Sequence, residues 1–86
     1  MPYISQEARE RLHQTGDVNT PGELNFAITE VVCGYLAAKG NLSYTNLNEV
    51  IGVLECVKQE LYRRQAAPYE DLACQTSGDV YPWFRK

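Results

Sequence analysis

The sequence predicts an all-α fold, an antiparallel helical hairpin of two long helices with a short N-terminal helix and an irregular C-terminal tail. Two observations support it. Apolar residues recur at helical spacing along two long stretches, as they do on one face of an amphipathic helix. Between these stretches, residues 40–44 form a connection short enough to bring the second helix back beside the first.

The chain has 86 residues, which is enough for one domain with a modest core. We expect a single helical domain over residues 1–86. Its helices are predicted at about 6–14, 21–39 and 45–66, and its tail at 76–86. Because small domains often gain stability by oligomerising, we also expect a homo-oligomer.

The first helix has the weakest pattern. Ser5 can cap its N-terminus, and Gly16 follows its end. Only Ala8 and Leu12 give it an apolar face, so we expect it to dock on another element.

The second helix has a strong start signal. Thr20 is a good N-cap, Pro21 suits the first helical position, and Glu23 completes a capping box in which its carboxylate returns to the Thr20 N–H. Gly40 is placed to end the helix. The apolar stripe between them comprises Leu24, Ala27, Ile28, Val31, Val32, Tyr35 and Leu36.

The third helix is the longest of the three predicted helices, and Ser43 or Thr45 is its N-cap. Its end is predicted near Pro68, because the residue before a proline is pushed out of helical geometry. Residues 68–71 could then open one or two further helical turns, with Pro68 at the first position. Gly52 lies in its interior, where glycine costs about 1 kcal/mol relative to alanine, so we expect a close helix–helix approach there. Its apolar stripe comprises Leu47, Val50, Ile51, Leu54, Val57 and Leu61.

The charge balance argues against nucleic acid as a partner. Eight Lys and Arg residues face eleven Asp and Glu residues, for a net charge of −3. Nucleic-acid binders usually cluster basic residues to neutralise phosphates, and only two short basic pairs occur here.

Cysteine usage and hydropathy indicate a cytoplasmic protein. The three cysteines, Cys33, Cys56 and Cys74, are widely spaced, and we expect them to be reduced. Residues 1–5 do not resemble a secretory signal, and no apolar run approaches the roughly 20 residues of a membrane span. We expect no membrane association.

No motif in the chain predicts an enzyme. His13 is the only histidine, and no nucleophile elbow or phosphate-binding glycine motif occurs, so we expect no catalytic residue and no cofactor. We expect the His13 side chain to be solvated. Four carboxylates could face one another across the long helices as a metal site, but they lack the paired spacing of known helical metal sites. These are Glu30, Glu49, Glu55 and Glu60.

A polar cluster near Pro68 is the first candidate contact site. Its functional interpretation is a binding edge for an anionic ligand, with the two arginines as donors. Its structural interpretation is that the carboxylates cap the next helical turn and neutralise the arginines. The cluster comprises Tyr62, Arg63, Arg64, Tyr69, Glu70 and Asp71.

The aromatic tail is the second candidate. Trp83 and Phe84 lie in an apolar segment that either folds back over the hairpin or packs on a neighbouring subunit or partner.

Six segments of the chain carry a resemblance to other proteins, and they are 20–25, 27–29, 47–58, 61–64, 67–71 and 78–81. The resemblance extends over residues 3–81, and its most distinctive run is 48–64. These segments resemble an uncharacterised family of short proteins from tailed phages, bacteria and marine metagenomes. The resemblance implies a phage or environmental bacterial origin and carries no catalytic residues, since the family is a domain of unknown function.

Three functional hypotheses follow. The first is a non-enzymatic interaction protein that self-associates and can bind a host or phage protein. The second is a binder of small anionic ligands such as nucleotides, using Arg63 and Arg64. The third is a metal-dependent hydrolase that uses helix carboxylates.

Overall fold

A computed structural model describes residues 4–40 and 42–81, and most of these residues are helical. The all-α prediction is confirmed, with no strand among the described residues. The α-helices are α1 (Gln6–Thr15), α2 (Pro21–Ala38), α3 (Tyr44–Leu61) and α4 (Ala67–Ser77), and the π-helical segment Tyr62–Ala66 joins α3 to α4.

The start of α1 is capped as predicted. The Ser5 hydroxyl accepts a hydrogen bond from the Ala8 N–H at 3.1 Å. At the other end, Gly16 adopts a left-handed conformation with φ 75° and donates its N–H to the Leu12 carbonyl at 2.9 Å. Glycine adopts this conformation without the Cβ strain of other residues, so it ends the helix.

Of the two hydrogen bonds predicted for the cap of α2, one is confirmed and the other has a different partner. The Thr20 hydroxyl accepts from the Glu23 N–H at 3.1 Å, as a capping box requires. The Glu23 carboxylate, however, accepts from the N–H of Asn19 at 2.9 Å rather than from Thr20. The predicted return bond is therefore wrong by one residue, because the carboxylate also turns towards Arg11 of α1.

The start of α3 decides between the two predicted caps. The Ser43 hydroxyl accepts from the Asn46 N–H at 3.1 Å, and its carbonyl accepts from the Leu47 N–H at 2.9 Å. Thr45 already lies inside the helix. Ser43 is therefore the N-cap.

A helix after the third one is present as predicted, but it is longer than two turns, because α4 runs from Ala67 to Ser77. In the π-helical segment the Ala67 N–H donates to the Tyr62 carbonyl, five residues earlier. This wider turn changes the hydrogen-bond register just before Pro68, which has no N–H to donate. Pro68 then occupies the first turn of α4, where proline is tolerated. Thr76 and Ser77, placed in the predicted tail, are helical.

The chain divides into two compact units, one up to Asn48 and one from Glu49. In the first unit α1 packs on α2, and Leu12 and Leu36 are buried. In the second unit Val50 is buried. The antiparallel pairing of the second and third helices stays a prediction.

No helix within residues 4–40 and 42–81 is both long enough and apolar enough to cross a bilayer.

Candidate functional site

The predicted polar cluster lies on the π-helical segment and the first turn of α4. The Tyr62 hydroxyl donates to Oε1 of Glu70 at 3.2 Å, which joins the two elements. The negative charge of Glu70 and this hydrogen bond raise the pKa of Tyr62, with smaller contributions from burial and from the charge of Asp71. Both effects disfavour the tyrosinate, since it would face carboxylates.

The two arginines share a carboxylate that belongs to α3. Oε2 of Glu60 accepts from Arg63 at 3.1 Å and also from Nε of Arg64. The spacing of Glu60 and Arg64 predicts such a pair. The Arg63 contact was not predicted from the sequence, and Gln59, four residues before Arg63, donates to Glu55 at 2.9 Å.

The arginines retain donors that point to water. Their side chains are 73% and 69% exposed, and one oxygen of Glu60 receives both of them. A guanidinium has five N–H donors, so most remain available to an anion. An open groove of about 590 Å³ adjoins Arg63, and its lining comprises Glu55, Cys56, Gln59, Glu60, Tyr62, Arg63 and Ala67.

The remaining predicted contact residues are not part of this pairing. Tyr69 is 74% exposed on α4, and Asp71 is also exposed. Trp83 and Phe84 lie outside the described residues.

An ion pair between α1 and α2 was not predicted from the sequence. Arg11 lies 2.6 Å from Oε2 of Glu23, and Arg11 also donates to the Asp17 carbonyl at 2.7 Å. Glu23 is buried, with its side chain 9% exposed. The hydrogen bond from Arg11 lowers the pKa of Glu23, and the bond from the Asn19 backbone lowers it further.

A second contact joins the same helices. Nε2 of His13 lies 2.9 Å from Oε1 of Glu30, and the His13 and Phe26 ring centroids are 6.2 Å apart. The His13 side chain is therefore partly solvated, with 58% of it exposed, but it also connects α1 to α2. No motif in the sequence relates positions so far apart in the chain.

The carboxylates considered as metal ligands are mostly engaged with basic side chains. Glu30 pairs with His13, Glu55 lies 3.2 Å from Lys58, and Glu60 pairs with both arginines. Glu49 is exposed on α3. Among the described residues, no group of three or more His, Cys, Asp or Glu side chains is placed to hold a metal ion.

The apolar stripes predicted to face a core are largely exposed. On α2 the exposed positions are Leu24 (51%), Ile28 (44%), Val31 (74%) and Tyr35 (47%), and we call these four residues the α2 seam. On α3, Ile51, Val57 and Leu61 are each more than half exposed. Within the described part of the chain, the buried hydrophobic residues are Leu12, Leu36 and Val50.

The two interior glycines also have open surroundings. A Cβ built on Gly34 or on Gly52 would meet no atom within 4 Å. The close helix approach predicted at Gly52 is therefore not found among the described residues.

Fold and site together define a small helical protein that leaves much of its apolar surface in water. The chain belongs to the family DUF6899, a domain of unknown function, whose model matches residues 1–80. The resemblance to an uncharacterised family is confirmed to that extent. No curated protein matches the chain, and no solved structure does.

Proposed function

We propose that this chain is a small, non-enzymatic helical interaction protein that self-associates through the apolar faces of its long helices. The observation that supports it is the exposure of large aliphatic and aromatic side chains on both α2 and α3. Contiguous exposed apolar surface on a small protein is a marker of an association site.

Each of the two helices carries such side chains. On α2 they are the α2 seam, and on α3 they are Ile51, Val53, Val57 and Leu61.

The resemblance noted in the sequence supports a phage or environmental bacterial origin for the protein, and a cytoplasmic setting. In that setting the same apolar faces are available to a host or phage protein. We rank a second copy of the chain first, because a homo-oligomer requires no additional component.

Sedimentation velocity over a range of protein concentrations tests the proposal. We expect an assembly larger than one chain, and we expect Val57→Asp to shift it towards monomer because it places a charge on the apolar face. Asn48→Asp, which adds the same charge at an exposed position of the same helix, is the control and should leave assembly unchanged. A folded wild-type monomer at every concentration would overturn the proposal.

A second candidate function is the binding of an anionic ligand by Arg63 and Arg64. It is favoured by the exposed guanidinium donors beside an open groove. We expect ATP or inorganic phosphate to raise the melting temperature, and Arg63→Gln with Arg64→Gln to abolish that rise. Arg9→Gln, at an exposed site on α1, should retain it. The absence of any shift with either anion would remove this candidate.

A further inference from the structure

The two guanidinium groups of the polar cluster converge on one oxygen atom. Oε2 of Glu60 accepts a hydrogen bond from Arg63 at 3.1 Å and another from Nε of Arg64. Arg63 and Arg64 are neighbours in the chain, and neighbouring side chains on a helix normally point in different directions. Because both reach the same carboxylate oxygen, both can donate to a single oxyanion.

Glu60 is held in this position only weakly. The side chains of Glu60, Arg63 and Arg64 are each more than half exposed. Ion pairs between exposed side chains three and four residues apart contribute little to stability, because water screens the charges and ordering two long side chains costs entropy. An anion that binds the arginines more strongly can therefore displace the Glu60 side chain into water.

The open groove beside Arg63 gives such an anion access. Glu60 and Arg63 both line it, so a ligand in the groove lies beside the guanidinium that Glu60 engages. Glu55 also lines the groove, and its carboxylate lies 3.2 Å from Lys58 and accepts from Gln59 at 2.9 Å. The positive charge of Lys58 reduces the repulsion that Glu55 would exert on an incoming anion.

Two guanidinium groups favour a doubly charged anion with several oxygens. A phosphate monoester carries a charge of about −1.5 to −2 at pH 7 and three acceptor oxygens, whereas a carboxylate carries one charge. Hydrogen bonds from arginine to phosphate are charge-assisted and frequently bidentate. A terminal phosphoryl group therefore gains more from Arg63 and Arg64 than a second carboxylate would.

We propose that Glu60 is an internal competitor at this site, and that its Oε2 occupies the position of an oxygen of a dianionic phosphoryl group, which displaces it on binding. This inference rests on the second candidate function, the binding of an anion by Arg63 and Arg64. It adds the class of the anion and the residue that limits its affinity. Since Glu60 is attached to the same helix, a free carboxylate must compete with one that is already in place.

Titration of the isotope-labelled protein with inorganic phosphate, at pH 7 and constant ionic strength, tests the role of Glu60. The Nε–H and backbone N–H resonances of Arg63 and Arg64 report binding at the site itself. Glu60→Gln removes the charge with little change in shape, and Glu60→Ala removes the carboxylate while favouring the helix. Circular dichroism checks that each variant is helical.

Glu49→Gln is the matched control. It makes the same change in net charge at an exposed position of α3, about 16 Å along the helix from Glu60. That separation is about twice the distance over which charges interact at physiological salt.

We expect phosphate to bind both Glu60 variants roughly threefold to tenfold more tightly than it binds wild type, because two exposed ion pairs no longer compete with it. Glu49→Gln should leave the affinity within about 1.5-fold of wild type. Acetate, a monoanion, should bind more weakly than phosphate in both wild type and Glu60→Gln.

Other results overturn the inference in distinguishable ways. Equal phosphate affinity in wild type and both Glu60 variants would show that Glu60 does not compete, while anion binding itself stands. An equal gain in Glu49→Gln would assign the effect to net charge. Acetate that binds Glu60→Gln as tightly as phosphate would overturn the dianionic class. Arginine resonances that phosphate leaves unmoved in every chain would remove the second candidate function together with the inference.

Discussion

The Arg11 guanidinium of α1 lies 2.6 Å from the buried Glu23 carboxylate of α2. The same guanidinium donates to the Asp17 carbonyl, and the same carboxylate accepts from the Asn19 N–H. This pair therefore connects the two helices and also fixes the loop between them.

The coupling between Arg11 and Glu23 should disappear in acid. The pKa of Glu23 is lowered below its ordinary value of 4.5 by the Arg11 hydrogen bond and then by the Asn19 backbone. A lowered folded-state pKa means that the unfolded chain binds the proton more readily. The stabilisation that the ionised Glu23 carboxylate contributes is therefore present above pH 4.5, and it is lost as the pH falls through the folded-state pKa.

A double-mutant cycle measures this coupling. Urea unfolding of wild type, Glu23→Gln, Arg11→Met and the double variant should give a favourable coupling free energy at pH 7 and a smaller one at pH 3. Equal coupling energies at the two pH values would contradict the prediction.

The two candidate caps of α3 should differ in their effect on stability. Ser43→Ala removes the acceptor for the Asn46 N–H and should lower the free energy of unfolding by about 1 kcal/mol. Thr45→Ala, within the first turn of the helix, should change it by less than about 0.5 kcal/mol. Chemical denaturation followed by circular dichroism compares them. An equal loss in both variants would show that the cap contributes nothing.

Tyr62 should ionise late as the pH rises. The charge of Glu70 and the hydrogen bond to it raise the pKa of Tyr62 above its ordinary value of 10.0. The contribution of this contact to stability is therefore complete below pH 10 and is lost as the pH rises through the folded-state value.

Absorbance at 295 nm, compared between wild type and Tyr62→Phe, isolates the ionisation of Tyr62. Glu70→Gln removes the charge and should move the same ionisation to lower pH, provided circular dichroism shows that both chains are folded in that range. If Glu70→Gln leaves it unchanged, Glu70 does not control this tyrosine.

The two prolines at helix starts should respond in opposite directions to alanine. Pro68 lies within a continuous helical path that has a π-helical turn just before it, so Pro68→Ala should stabilise the helix by about 1 kcal/mol. Pro21 begins α2 after the Thr20 cap, where its fixed φ is favourable, so Pro21→Ala should destabilise by up to about 1 kcal/mol. Thermal unfolding of the two variants shows whether each substitution stabilises or destabilises the protein. A destabilising Pro68→Ala would mean that the π-helical turn is not a response to the proline.

The local parts of this fold were predictable from the sequence because caps and periodicity act over a few residues. Ser5, Thr20 and Gly40 mark helix boundaries through contacts with their own neighbours. The helical turn that starts at Pro68 was predictable in the same way, but the π-helical junction before it was not, since a π-helical turn has no simple sequence signature.

Contacts between helices were harder to predict. Arg11 with Glu23 and His13 with Glu30 join residues that are 12 and 17 positions apart, and their charges match many other partners in the chain. The α2 seam shows a related difficulty. Its apolar spacing indicates a buried helix face, but spacing does not say whether that face is buried by the same chain or by a second copy.

The final prediction uses the two interior glycines, which differ in their position relative to the apolar faces. Gly34 borders the α2 seam, whereas Gly52 lies on the side of α3 opposite the line of Val50, Val57 and Leu61. Leucine is a good helix former, so Gly34→Leu and Gly52→Leu should each favour the helix itself. If the proposed self-association uses the apolar face of α2, a leucine at Gly34 would enter that contact. We therefore expect Gly34→Leu to raise the dissociation constant of the assembly at least tenfold in sedimentation equilibrium, and Gly52→Leu to leave it within about threefold of wild type. An assembly that tolerates leucine at Gly34 as well as at Gly52 would place the contact away from α2.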